Sequence, residues 1–274
     1  MTPRTGVVRR VATIAAWLVV IVSATGPIVY LALVSVSPRS DILGGGVLPS
    51  RLAFENWPNA FGALNIPNFL GNSLVTACVG ALLSLLIATP GAYAMARHEL
   101  MGGRLAGLVV GTYIAPPVLA VFPLFYLMRS VGLTNSALGL GIVYGLANVP
   151  VAVWLLEGFV RRVPLEIEEA ARVDGAGTLR ILRQVVLPLM APGITATGIL
   201  CFILSYNEFL LARFFSTSTG SQTMTIAISL FQGDRQVQFG QMAAASLAAL
   251  APVYVLAVFF QRWLVDGLTH GSTK

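Results

Sequence analysis

Apolar runs of about 20 residues recur along this 274-residue chain and constrain its fold more than any other feature. A helix rises about 1.5 Å per residue, so about 20 residues cross the hydrocarbon core of a bilayer. Hydrophobic residues make up 56% of the chain and charged residues only 10%, as expected when lipid is the solvent. We therefore predict an all-α integral membrane protein.

The runs predict six transmembrane helices: Val11 to Val34, Phe69 to Ala96, Leu105 to Met128, Leu138 to Phe159, Gly193 to Phe214 and Met242 to Leu264. The first run exceeds the apolar region of a signal peptide, which is about 7 to 15 residues long, so we interpret it as a span; cleavage near Ala24 is the alternative. The chain then divides into a segment 1–10, a first helix 11–34, an external loop 35–68, a five-helix core 69–264 and a tail 265–274.

The distribution of positive charge predicts the orientation of these spans. Six spans return the chain to the side on which it starts, and twelve of the 17 arginines and lysines fall on that side. Because loops rich in arginine and lysine stay in the cytoplasm, we predict that both termini are cytoplasmic.

The loop 160–192, between the fourth and fifth spans, is the longest polar insertion on this arginine-rich side. Its stretch from Pro164 to Pro192 is called the elbow below. Pro164 suits the first position of a helix, and glutamates follow in the first turn, where the helix dipole favours them. Asp174 and Gly175 predict the end of this helix, because glycine tolerates a left-handed backbone.

A second short helix is predicted in the elbow, from Leu179 to Leu187. Thr178 is expected to cap it, and Pro188 is expected to end or kink it. The two helices would form an L-shaped structure exposed to the cytoplasm.

The elbow resembles the EAA signature of permease subunits in binding-protein-dependent ABC importers. The resemblance implies that it is the coupling helix, which docks into a groove of a separate ATPase subunit. An ordinary amphipathic loop is the alternative. The residues implied in this contact are Glu169, Ala170, Ala171, Asp174, Gly175, Ala176, Leu187 and Pro188, with Leu182 where the family often has phenylalanine.

Other segments resemble the carbohydrate class of these permeases, and their arrangement is closest to the six-span partner subunit of maltose-type importers. They are Asn72–Leu74, Ala92–Arg97, Pro123–Tyr126, Gly132–Ser136 and Gln261–Thr269. The resemblance implies a bacterial plasma membrane protein. The implied partners are a second permease subunit, two ATPase subunits that hold ATP and Mg, and an extracytoplasmic solute-binding protein.

The chain itself offers no recognisable catalytic set. A P-loop needs a lysine after a glycine-rich turn, and the only lysine is Lys274, at the chain end. With two histidines and two cysteines, the chain predicts neither a metal cluster nor a nucleophile with its base. We therefore predict no enzyme activity and no bound cofactor in this chain.

Polar residues inside the predicted spans are candidates for a substrate path. Glu208 lies in the fifth span beside Tyr206 and Asn207, and Asn148 lies in the fourth. Ionisable groups in hydrocarbon are costly and mark functional sites. An aromatic ring and paired polar groups suit a sugar. The alternative is a polar clamp between helices.

Together these features predict import of a sugar or sugar derivative, driven by a separate ATPase. The same machine for a polyamine or phosphate ester is one alternative. A self-sufficient secondary transporter or channel is another, although such proteins usually carry several intramembrane ionisable groups.

Overall fold

The computed structural model describes residues 3–98, 107, 111, 118–233 and 237–269, and every regular element among them is a helix. The long helices are α1 (Pro3–Ser35), α4 (Ile66–His98), α6 (Ala137–Val160) and α13 (Phe239–Thr269). Shorter ones are α2 (Arg39–Leu43), α3 (Asn56–Ala63), α5 (Val118–Ser130), α7 (Leu165–Val173), α8 (Thr178–Ile181), α9 (Leu187–Leu189), α10 (Ala191–Tyr206), α11 (Leu210–Phe215) and α12 (Met224–Leu230). The predicted all-helical class is confirmed.

Among the residues that the structure describes, four helices are long and apolar enough to cross a membrane, and a bent pair makes a fifth candidate. The four are Arg9–Ser35, Ile66–Arg97, Ala137–Val160 and Phe239–Gln261, which agree with the predicted first, second, fourth and sixth spans. Most of the predicted third span, Leu105 to Met128, lies outside the described residues. Its described end is the short apolar helix α5.

The predicted fifth span, Gly193 to Phe214, is wrong as a continuous helix. Helix α10 ends at Tyr206, and α11 begins only at Leu210. The polar side chains between them explain the break. The Asn207 amide donates to the Ile203 carbonyl, and the Glu208 carboxylate accepts from the backbone of the next helix. In such bonds a side chain occupies a backbone amide or carbonyl that would otherwise bond within a continuous helix.

The chain divides into two compact units. One comprises residues 1–66 and 227–251, and the other residues 67–226 and 252–274. In the first, the Asn56 amide donates to the carbonyls of Ser35 and Ser37, which ties the start of α3 to the end of α1. Ala243, Ala244 and Ala245 are buried near the start of α13.

Among the described residues of the second unit, two hydrophobic clusters hold the helices. The larger joins α4, α6 and α10 with the inner side of the elbow, through residues such as Tyr93, Leu156, Ile181 and Phe202. The smaller joins α5, α6, α11 and α12. Helix α6 takes part in both clusters and is therefore central to the packing of this unit.

Candidate functional site

The first arm of the elbow is helix α7. Pro164 stands just before it, in an extended conformation, so the helix begins at Leu165 rather than at the proline. It ends where Gly175 adopts a φ of +82°, and the Ala176 amide then donates to the Ala171 carbonyl at 2.9 Å. The predicted left-handed glycine is confirmed.

The second arm of the elbow runs from Thr178 to Leu189. Gly177, rather than Thr178, occupies the capping position, and no side chain bonds to the helix start, so the predicted threonine cap is wrong. Residues Leu182–Val186 form a π-helical turn, a feature common at functional sites. At Met190, two residues after Pro188, the axis turns by 79° into α10, so the predicted kink is confirmed.

The residues that match the signature divide between the two faces of the elbow. Glu169, Ala170, Asp174, Gly175 and Pro188 are exposed, whereas Ala171, Ala176, Leu182 and Leu187 are half-buried. Ala171, Ala176 and Leu182 pack against the larger hydrophobic cluster. The elbow therefore presents part of the signature outward and uses the rest to pack.

Two exposed apolar side chains stand out on the outer face of the elbow, and the sequence prediction did not single them out. Val173 is 88% exposed and Leu179 is 68% exposed. Exposed carboxylates of Glu166, Glu169 and Asp174 lie along the same arm. Apolar side chains rimmed by charges are typical of a protein interface. The sequence signal was an apolar residue on each side of the Asp174–Gly175 turn.

Glu168, and not its neighbour Glu169, points into the protein. Its side chain is fully buried and accepts a hydrogen bond from the Tyr93 hydroxyl at 2.8 Å. Arg97 Nε donates to the other carboxylate oxygen, also at 2.8 Å. Arg97 Nη2 donates in addition to the carbonyls of Val160 and Val163. The elbow is thus tied to the ends of α4 and α6 by one buried ion pair.

Two cavities open beside the elbow. One, of about 260 Å³, lies next to the bend at Met190, where the Arg162 guanidinium stands 5.2 Å above the Phe159 ring. The other, of about 580 Å³, is lined by Leu179, Arg180, Arg183 and Gln184. The second cavity adjoins Leu179, on the outer face of the elbow.

The candidates for a substrate path differ in exposure and in their partners. Tyr206 is buried and stacks on Phe202 with ring centroids 5.8 Å apart. Asn148 is buried and donates to Ser205 Oγ at 2.9 Å, whereas Asn207 is exposed. Glu208 is half-buried, and its two carboxylate oxygens accept from the amides of Leu211 and Ala212, which caps α11.

At the end of α6 opposite the elbow, three asparagines hold the loop 216–223. Asn135, at a φ of +54°, accepts from the Thr217 amide at 2.7 Å and from its hydroxyl at 2.9 Å. Asn68 donates to the Thr219 carbonyl, and Asn72 to the carbonyls of Gly220 and Gln222. The six predicted spans with cytoplasmic termini imply an external position for this loop, which follows the fifth span, but the sequence pattern did not identify the side chains that order it.

Among the described residues, no three or more histidine, cysteine, aspartate or glutamate side chains form a group that could hold a metal ion.

Comparison with known proteins identifies a family and several individual relatives that match this chain. The family described as binding-protein-dependent transport system inner membrane component matches residues 80–270. The trehalose/maltose transport system permease protein of Thermococcus litoralis is 30% identical over 99% of both chains. The trehalose transport system permease protein of Mycobacterium tuberculosis is 32% identical over 90% of this chain and 92% of its own length.

Among solved structures, one chain of a bacterial ABC transporter involved in the import of the acidic polysaccharide alginate has the same fold. Its TM-score is 0.76 at 22% identity, over 96% of this chain and 98% of that chain.

Proposed function

The chain belongs to the family of binding-protein-dependent transport system inner membrane components, and on that premise we propose that it carries a sugar or sugar derivative into the cell. It is a multi-pass membrane protein and the permease subunit of an ABC importer. The sugar class follows the relatives, whose names include trehalose and maltose. The structural observation that carries the proposal is the elbow.

We propose that the outer face of the elbow is the contact for the ATPase subunit. Val173 and Leu179 supply apolar area, and the exposed signature residues Glu169, Ala170, Asp174 and Gly175 surround it. The half-buried residues of the signature would hold the two arms of the elbow in position; they are Ala171, Ala176, Leu182 and Leu187. ATP and Mg would be held by the ATPase, since this chain has no P-loop lysine.

The architecture of the whole machine is part of the proposal. The chain would span the membrane six times with both termini in the cytoplasm, and a second, related permease would complete the pathway. Two ATPase subunits would act from the cytoplasm, and a solute-binding protein would deliver sugar to the opposite side.

For the substrate path we propose Asn207 and Glu208, with Tyr206 and Asn148 behind them. Asn207 is the exposed member. The Glu208 carboxylate accepts from the amides of Leu211 and Ala212, and we propose that its remaining acceptor capacity serves a sugar hydroxyl. The break between α10 and α11 would hold both side chains beside the path.

Two alternatives lead to different substrates or partners. A polyamine importer would need more acidic groups along its path than Glu208, and a phosphate-ester importer would need cations there. A self-sufficient carrier would work without an ATPase.

One preparation tests these functions. The chain is purified from its native membrane, the bound proteins are identified, and the complex is reconstituted into liposomes with its binding protein. Uptake of trehalose, maltose, an alginate oligosaccharide, spermidine and glycerol 3-phosphate is then measured with and without ATP. We expect a bound ATPase and ATP-dependent uptake of a sugar. Uptake by the isolated chain without ATP, or uptake of spermidine or glycerol 3-phosphate alone, would contradict the proposal.

A further inference from the structure

We propose that Glu168 is a positioning residue that makes the elbow and the cytoplasmic ends of α4 and α6 move as one body. This inference depends on the proposed function, because it concerns how the ATPase drives the spans. Its basis is the way in which α7 is attached to the rest of the protein.

Helix α7 has almost no hydrophobic attachment of its own. Of its nine residues, Glu168 alone is buried and Ala171 alone is half-buried, while the other seven are exposed. Most helices in proteins are held by an apolar face that packs on a core. Besides the packing of Ala171 on the larger cluster, helix α7 holds to the bundle through the buried carboxylate of Glu168, so a large part of the attachment is electrostatic and directional.

The carboxylate of Glu168 is bound on both oxygens by a single helix. Tyr93 and Arg97 both belong to α4 and are spaced by one helical turn, so they present their donors on the same side. Hydrogen bonds to a charged group are shorter and stronger than neutral ones. A displacement of α7 therefore acts directly on the end of α4.

Arg97 extends the attachment to α6. Its Nη2 atom donates to the Val160 carbonyl at 2.9 Å, at the end of α6, and to the Val163 carbonyl at 2.7 Å, in the turn that leads to α7. One guanidinium thus holds three pieces of chain, each by a separate contact. The turn between α6 and α7 is pinned at both sides and cannot act as a free hinge.

Because this ion pair is buried, a contribution to stability alone does not account for it. An ion pair taken out of water contributes little net stability, and removing one partner leaves an unpaired buried charge. Apolar residues of similar size would hold α7 as firmly. What the pair adds is a fixed geometry between α4, α6 and α7, which is the property that transmission of a movement requires.

The test measures sugar uptake per ATP hydrolysed in the reconstituted complex, per mole of assembled ATPase. The wild type is first assayed with trehalose, maltose and the alginate oligosaccharide, and the sugar taken up fastest serves as the probe. Glu168→Gln removes the charge with little change in size. Glu157→Gln is the matched control, because Glu157 also pairs with an arginine, but with the exposed Arg161 one turn away in the chain. Tyr93→Phe removes one donor and keeps the ion pair.

We expect Glu168→Gln to lower uptake per ATP by about tenfold, within the range by which residues of a coupling network change coupling. Tyr93→Phe should lower the ratio less, and Glu157→Gln should leave it unchanged. A merely structural role would reduce the amount of assembled complex and leave the ratio of the assembled fraction unchanged.

The outcomes separate this inference from the proposed function. Absence of a bound ATPase or of sugar uptake in the wild type contradicts the function itself. A wild-type ratio in both Glu168→Gln and Tyr93→Phe overturns the positioning role alone. If Glu168→Gln does not assemble, Tyr93→Phe decides: a lowered ratio supports the role, and a wild-type ratio overturns it.

Discussion

At the residue scale, neighbouring residues of one type have opposite environments. Glu168 is buried and paired, whereas Glu169 is exposed. Gly175 has a φ of +82°, whereas Gly177, two residues later, has a φ of −73°. Sequence pattern identified the glycine because a helix end needs a left-handed residue locally. It did not separate the two glutamates, because the partners of Glu168 lie 71 and 75 residues away in the chain.

Replacement of Gly175 by valine should uncouple ATP hydrolysis from transport while the complex still assembles. An added Cβ meets no atom within 4 Å, so the cost is confined to the backbone, about 1–2 kcal/mol for a left-handed residue. The turn would then relax, and the outer face of the elbow would lose its shape. Uptake per ATP hydrolysed measures the effect.

The control for this change is Gly177→Val. Gly177 also has open space around it, but its extended backbone suits a β-branched residue. Equal uptake per ATP in the two variants would show that the left-handed turn at Gly175 is not needed for coupling.

At the element scale, α4 and α6 approach each other through glycines. Gly141 and Gly145 lie one turn apart on α6, and a Cβ on them would lie 2.7 Å from Val79 Cβ and 2.8 Å from Leu83 Cβ. Small residues at this spacing let membrane helices pack closely.

The break after α10 has a different cause. Polar side chains at Asn207 and Glu208 end an apolar helix that hydropathy predicts to continue.

Replacement of Gly145 by leucine should separate α4 from α6. Overpacking of this kind costs about 1–3 kcal/mol, because Leu83 belongs to a helix that is fixed along its length. We expect a lower midpoint in thermal unfolding of the purified complex. Gly158→Leu is the matched control, because Gly158 lies on the same helix with nothing within 4 Å of an added Cβ. A similar loss of stability in both variants would argue against close packing as the cause.

At the scale of the whole molecule, the two ends of α6 lie beside two different candidate contact surfaces of its unit. Asn135 and the loop 216–223 lie just before the helix start, and the elbow follows its end. A helix of 24 residues is about 36 Å long, which is enough to cross the hydrocarbon core. The geometry agrees with a loop and an elbow on opposite sides of the membrane, each available to a different partner.

This arrangement predicts opposite labelling of two single cysteines. With Cys78 and Cys201 replaced by serine, Thr219→Cys should react with a membrane-impermeant maleimide in intact cells. Glu166→Cys should react only after the membrane is permeabilised. Both positions are exposed, so a difference reports the side of the membrane and not burial. Labelling of both cysteines in intact cells would contradict the orientation inferred from the arginines.

The sequence by itself determined the helical class, the bounds of four spans, the turn at Gly175 and the kink near Pro188. These features depend on hydropathy and backbone preference within a few residues, because a helix in lipid satisfies its own hydrogen bonds. The sequence also carried the family resemblance, since the signature is local.

Only the tertiary structure decided which glutamate is buried, where the fifth span breaks and which glycines are in contact. Each of these depends on atoms far apart in the chain: Arg97 for Glu168, Tyr144 and Thr225 for the carbonyl at the break, and Leu83 for Gly145. Hydrogen bonds and close packing act over a few ångströms in space, and distance along the chain does not reveal them.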